Sequence, residues 1–145
     1  MKKKVLVTGG TGYIGSHTVV ELQQSGFEVV VVDTLENSES FILDRIEDIT
    51  GVKPAFYQTD ISDRAATLEL FKQEPDIIAI IHFAAYKAVG ESVQEPLKYY
   101  RNNLNGVINL LEAMGQFGVA HLVFSSSCTV YGQPERLPVT EMASV

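Results

Sequence analysis

Lys4-Val5-Leu6-Val7-Thr8-Gly9-Gly10-Thr11-Gly12-Tyr13-Ile14-Gly15 is the stretch that decides the fold of this 145-residue chain. Lys4–Thr8 is an apolar run of the length of one buried strand, and a helical pattern follows over Tyr13–Ser25, closed by Gly26. Between them Gly10, Gly12 and Gly15 fit G-x-G-x-x-G, while Gly9, Gly12 and Gly15 fit the related G-x-x-G-x-x-G spacing. In a strand–turn–helix setting the early glycines permit a tight turn and let backbone N–H groups approach a pyrophosphate. The last lets the helix pack closely on the strand. The helix N-terminus adds partial positive charge, so phosphates can be held without a basic surface. A glycine-rich turn can also be purely structural, but Asp33 speaks against that here. It ends the next strand, about 20 residues on, where a carboxylate accepts hydrogen bonds from the adenosine ribose hydroxyls and repels a 2′-phosphate. A dinucleotide site is expected, with NAD favoured over NADP. No Walker A lysine follows the glycines.

Outward from this turn, β-branched runs alternate with helical patterns. Strands are expected at Glu28–Asp33, Lys53–Gln58, Ile77–Phe83 and Ala120–Phe124. The four valines Val29–Val32 suit a strand buried on both faces. Helices are expected over Tyr13–Ser25, with Ile14, Val19 or Val20 and Leu22 inward, and over Ser38–Gly51, with Phe41, Ile42, Ile46 and Ile49 at helical spacing. A third, capped by Ser62 or Asp63, runs to about Glu74, and a further long helical pattern runs from about Ser92 to Gly115, with Pro96 near its first turn or interrupting its start. The remainder, Ser125–Val145, reads mostly as loop. Five strands alternating with helices predict an α/β, Rossmann-like doubly wound parallel sheet of order 3-2-1-4-5, with the ligand crevice at the carboxyl ends of strands 1 and 4. Eight strands would be needed for a barrel, and the length allows one domain.

Eleven Lys and Arg against 18 Asp and Glu give a net charge of −7, which disfavours nonspecific binding to nucleic acid or an anionic membrane. No apolar run approaches the roughly 18 residues of a membrane span. The glycines after Val5–Val7 break any resemblance of Lys2–Lys4 to a signal peptide. One cysteine, Cys128, allows no intrachain disulfide and points to a reducing cytoplasm. It reads more simply as a small apolar residue than as a nucleophile. His17, His82 and His121 lack ligand spacing, so no metal site is expected, and His82 reads as a hydrogen-bonded core residue.

Thr8–Gly15 with Asp33 and then Asp60-Ile61 resembles the extended short-chain dehydrogenase/reductase family. Three further segments, His82–Ser92, Tyr99–Asn103 and Ser125–Gly132, narrow the resemblance to its UDP-glucose 4-epimerases, over essentially the whole chain. The resemblance implies that Gly9, Gly12, Tyr13, Ile14 and Gly15 surround the pyrophosphate of NAD. It places the adenosine ribose on Asp33 and the following loop, Thr34, Leu35, Asn37 and Ser38 included, with Asp60 and Ile61 flanking the adenine. Phe83, Ala84, Ala85 and Lys87 would line the cofactor, Lys87 reaching the ribose hydroxyls of the nicotinamide half, and Asn102 would lie beneath it. Ser127 takes the family's catalytic serine/threonine place, near substrate O4, where a hydroxyl can bond a developing oxyanion. The activity implied is NAD-dependent interconversion of UDP-glucose and UDP-galactose. A UDP-hexose is the implied substrate, and a homodimer on the Ser92–Gly115 helix is the implied assembly of a full-length member.

The family's general base is the Tyr of Tyr-x-x-x-Lys, and no tyrosine here has that lysine: four places after Tyr13, Tyr57, Tyr86, Tyr99, Tyr100 and Tyr131 stand His17, Ile61, Gly90, Asn103, Leu104 and Glu135. The resemblance therefore makes this chain the amino-terminal part of such an enzyme, a cofactor-binding part expected to be inactive alone. Its fifth strand should then show an apolar edge and face, making a marginal, association-prone monomer. A non-catalytic dinucleotide-binding module is the alternative. A nucleotide-sugar 4,6-dehydratase is disfavoured, because Cys128 and Thr129 stand where that family carries an Asp-Glu pair.

Overall fold

Strands Lys4–Thr8 (β1), Glu28–Asp33 (β2), Ala55–Gln58 (β3), Ile77–His82 (β4) and His121–Phe124 (β5) form one parallel sheet in the order β3-β2-β1-β4-β5. This is the predicted Rossmann-like order. The structure is a computed structural model and describes residues 3–133 and 136–143; the side chain of Cys128 also lies outside the described residues. Helices Tyr13–Gln24 (α1), Phe41–Thr50 (α2), Arg64–Gln73 (α3), Val89–Gln94 (α4) and Pro96–Phe117 (α5) connect the strands, and a single 3-10 turn spans Cys128–Tyr131.

The valine run of β2 explains the layering. Val29 and Val31 join Val5, Val7, Val19, Leu43 and Ile46 in the core under α1 and α2. Val30 and Val32 point the other way, onto Leu6, Ile80, Leu70, Phe71 and Leu110 under α3 and α5. Successive residues of a strand face opposite sides, so a continuous apolar run is what a doubly covered strand requires.

Boundaries at β3, α2 and the long helical pattern differ from the sequence reading and the open cap of α3 is settled, each for a local reason. β3 starts at Ala55 rather than Lys53, Pro54 having no N–H to give a ladder. α2 starts at Phe41 rather than Ser38, because the Ser38 hydroxyl is engaged by Asp33 and Thr11. α3 begins after Asp63, whose Oδ1 accepts from the Ala66 N–H at 3.0 Å, which settles the cap in favour of Asp63 over Ser62. The long helical pattern expected over Ser92–Gly115 is two helices, α4 and α5, broken at Glu95 (φ −123°, ψ 55°), so that Pro96 interrupts it. The residue before a proline is pushed out of the helical region, and Pro96 then starts α5.

One inward face needs correcting, and a second is set by the structure. In α1 Val19 is buried and Ile14 is 57% exposed. In α2 Leu43 and Ile46 are the buried pair, whereas Phe41 and Ile49 are exposed. Among the described residues β5 pairs only with β4, and its Val123 and Phe124 are 59% and 54% exposed, so the expected apolar edge is present. Among the described residues no helix is long and apolar enough to cross a membrane.

Candidate functional site

β1 leaves the sheet at Thr8 and turns through Gly9–Gly12 into α1. The Gly9 N–H donates to the Val32 carbonyl at 2.8 Å and the Gly12 N–H to the Gly9 carbonyl at 3.1 Å, which folds the turn back over the end of β2. Glycine is required here by close approach. A Cβ on Gly9, which has φ +68°, would lie 2.8 Å from the Ala84 backbone nitrogen, and one on Gly15 would lie 2.1 Å from the Gly9 carbonyl oxygen. The turn thus packs against the extension of β4 on one side and α1 on the other. Gly12 caps α1 without a side-chain cap, and no acidic residue lies in the first turn. No acidic side chain in that first turn competes with an anionic ligand for the helix's positive end.

Asp33, at the end of β2, organises the adjoining wall. Its Oδ2 accepts from the Thr11 N–H at 3.2 Å; its Oδ1 accepts from the Leu35 N–H at 3.0 Å and from the Ser38 hydroxyl at 3.2 Å. Thr11 and Ser38 hydroxyls meet at 2.7 Å. Three donors on two oxygens leave lone-pair capacity for a further hydroxyl. The loop holds Leu35 at φ +63°, a conformation that costs a non-glycine residue about 1 kcal/mol or more and persists where the surroundings over-determine it. Thr34 accepts from the Glu36 N–H through its hydroxyl and from Gln58 through its carbonyl; Asn37 is exposed.

Beyond β3, Asp60 accepts from the Ser62 N–H and hydroxyl at 2.8 and 2.9 Å. The Ile61 side chain is buried in the core beneath Gly106, which leaves only its backbone for the crevice. Asn109, missed in the sequence reading, is buried on α5 and donates to the carbonyls of both Ile61 and Ser62 at 2.9 Å. Beyond β4, Phe83 and Ala84 are half-buried, and Ala85 and Lys87 are exposed. Asn103 fixes this segment, accepting from the Tyr86 N–H at 2.9 Å and donating to the Tyr86 carbonyl at 3.0 Å; Asn102 donates to Asn103. Beyond β5, Ser127 caps the 3-10 turn, its Oγ 2.8 Å from the Thr129 hydroxyl. The carboxyl end of the sheet therefore gathers the glycine turn, Asp33, Asp60 and the Phe83–Lys87 segment, while Ser127 stands at the β5 edge.

His82 is 3% exposed under this floor, its Nδ1 2.6 Å from the Thr8 hydroxyl, which also accepts from the Ala84 N–H. Burial pushes its pKa down from 6.5 to about 4, so the ring is neutral near neutral pH. Folded His82 takes up its proton near pH 4 and the unfolded chain near 6.5. Between these values the unfolded state holds the extra proton, and stability falls as pH falls. The expected loss is about 3 kcal/mol from this group. Denaturant midpoints followed from about pH 7 to about pH 4.5 should slope downward in the native chain and lose that slope in His82→Asn.

Two hollows of about 530 and 390 Å³ lie at the opposite, amino ends of the strands, lined in part by Lys3, Pro75 and Ile78 and by Gln23, Val52 and Pro54. Lys4 in the first is paired with Glu74 at 2.7 Å and Glu28 at 3.1 Å. In a doubly wound sheet ligands bind at the carboxyl ends. Among the described residues no three His, Cys, Asp or Glu side chains are grouped to hold a metal.

The model of the NAD dependent epimerase/dehydratase family matches residues 5–145. UDP-glucose 4-epimerase of Bacillus subtilis is 58% identical over 137 residues, 94% of this chain and 40% of that relative. The Bos taurus UDP-glucose 4-epimerase is 54% identical over 147 residues, 97% and 42% of the two chains. Among solved structures, the Stenotrophomonas maltophila enzyme with bound NAD and formylated UDP-arabinopyranose superposes with a TM-score of 0.89 at 54% identity, over 98% of this chain and 42% of its own. The Bifidobacterium longum enzyme, in complex with NAD+ and UDP, gives 0.90 at 46% identity, over 97% and 42%. The chain thus spans about 40% of the length of the relatives it matches.

Proposed function

Since the chain belongs to the NAD dependent epimerase/dehydratase family, we propose that residues 1–145 form one NAD-binding unit, the cofactor-binding part of a UDP-glucose 4-epimerase. The observation that carries this reading is the glycine turn tied through Thr11 to Asp33. A Cβ would fill the cradle at Gly9 and Gly15, and a carboxylate with spare acceptor capacity stands beside it. In this reading Gly9, Gly12, Tyr13, Ile14 and Gly15 surround the pyrophosphate. Asp33 and the loop Thr34, Leu35, Asn37 and Ser38 take the adenosine ribose, with Asp60 and the Ile61 backbone at the adenine. Phe83, Ala84, Ala85 and Lys87 line the nicotinamide half, supported by Asn102.

Bound NAD supplies reversible hydride storage, which inversion at C4 of a UDP-hexose requires: oxidation, turning of the keto sugar and reduction from the other face. Ser127 hydrogen-bonds O4 as negative charge develops there, its hydroxyl oriented by Thr129. Removing O4's proton needs a base, and these residues contain no Tyr-x-x-x-Lys. By themselves they bind and position but do not turn over.

An exposed apolar stripe on α5, made of Leu97, Tyr100, Leu104, Ile108 and Leu111, recurs at helical spacing and supports a homodimer. The acidic composition supports a small-molecule substrate rather than nucleic acid or membrane. The single cysteine supports a cytoplasmic place, and the UDP-glucose 4-epimerase reading supports a role in galactose metabolism.

The test joins this chain to the remainder of the Bacillus subtilis relative and follows conversion of UDP-galactose. Turnover is expected in the joined protein and not in the chain alone, with Ser127→Ala reducing it about 10²-fold or more. A joined protein that is folded and holds NAD yet leaves UDP-galactose unchanged would speak instead for a non-catalytic dinucleotide-binding module.

A further inference from the structure

β2 and β4 flank β1 in the sheet, so the loops that leave their carboxyl ends rise on the two sides of the glycine turn. One side-chain contact joins these loops. The Tyr86 hydroxyl, four residues past β4, donates to the carboxylate of Glu36, three residues past β2. A link between strands one place removed on each side of β1 crosses above the end of β1, where the turn Gly9–Gly12 lies.

Each anchor is held from its own side. Tyr86 is clamped at its N–H and carbonyl by Asn103, its ring lies 5.5 Å from that of Tyr99, and Lys98 Nζ sits 4.6 Å from its centroid. Glu36 is carried by the loop that Asp33 fixes, with Leu35 at φ +63° and the Glu36 N–H on Thr34. Neither anchor needs the other to stay in place, and Glu36 is exposed, so the bond adds little to the core.

We propose that Tyr86 and Glu36 form a clasp across the crevice that gates entry and exit of a dinucleotide. The proposal rests on the dinucleotide reading above. Both partners belong to the protein, so the bond needs no ligand atom and forms over a loaded or an empty crevice alike. Passage in either direction must break it. Removing it therefore accelerates both rates and leaves their ratio nearly unchanged, which a residue touching the ligand would not do.

Stopped-flow fluorescence with NADH tests this on the native chain, Tyr86→Phe, Glu36→Ala and the double variant. Association and dissociation should each rise about tenfold in either single variant, the effect of losing a hydrogen bond to a charged acceptor. Kd should move less than about twofold, and the double variant should match the singles because one bond is lost only once. Unchanged rates in variants of a chain that binds NADH overturn the clasp alone. Faster dissociation with a proportionate loss of affinity overturns it too, making these residues direct ligand contacts. A folded native chain that binds neither NADH nor NAD overturns the dinucleotide reading, and the clasp with it.

Discussion

Gly15→Ala should cost the chain about 3 kcal/mol or more and abolish detectable dinucleotide binding. The added methyl would sit 2.1 Å from the Gly9 carbonyl oxygen and 2.9 Å from the Gly10 Cα. These are backbone atoms of the turn, with no flexible side chain to swing aside. Relief requires α1 to move off β1 or the turn to open, and the turn is pinned by the Gly9 N–H bond to Val32. Either movement displaces the N–H groups that would face a pyrophosphate. The same substitution at Gly115, within α5, meets nothing within 4 Å and should instead stabilise by about 0.5–1 kcal/mol. Chemical denaturation of the two variants, side by side, separates a close-approach glycine from a dispensable one. Equal behaviour of the pair would contradict the geometry of the turn.

Asp33→Ala is expected to weaken NAD binding by up to about 100-fold, the loss of a ribose hydrogen bond to a charged acceptor. It also frees the Thr11 N–H, the Leu35 N–H and the Ser38 hydroxyl, so the strained Leu35 loses the contact that holds its loop. Asp33→Asn separates charge from shape. It can keep part of the hydrogen bonding but no longer repels a 2′-phosphate, so the preference for NAD over NADP should shrink by about tenfold. Titrations of both cofactors against the three chains read this directly. An Asp33→Ala chain that keeps native affinity would remove Asp33 from the site.

How much of this was legible beforehand follows from the range of each interaction. The sheet order and the turn rest on contiguous signals: a valine run that must be covered on both faces, glycines at fixed offsets, and Asp33 where a strand ends. The inward face of α2 was not legible, because Phe41, Ile42, Leu43, Ile46 and Ile49 surround a ten-residue helix and only the facing sheet selects Leu43 and Ile46. The α4–α5 break stayed an open alternative because a proline near a helix start fits one long helix or the first turn of a second. Asn103 and Asn109 were invisible for another reason. Their partners are backbone groups of Tyr86, Ile61 and Ser62, brought to them only by the packing of α5. Thr11 lay inside the motif, but its bonds to Asp33 and Ser38 depend on the β2 loop folding back.

The account turns on a dinucleotide held over the end of β1, and calorimetric titration of the folded 145-residue chain with NAD and with NADP tests that most directly. A single NAD site, at least about tenfold tighter than any NADP binding, is the predicted result. A folded chain that binds neither cofactor, or that prefers NADP, would contradict it.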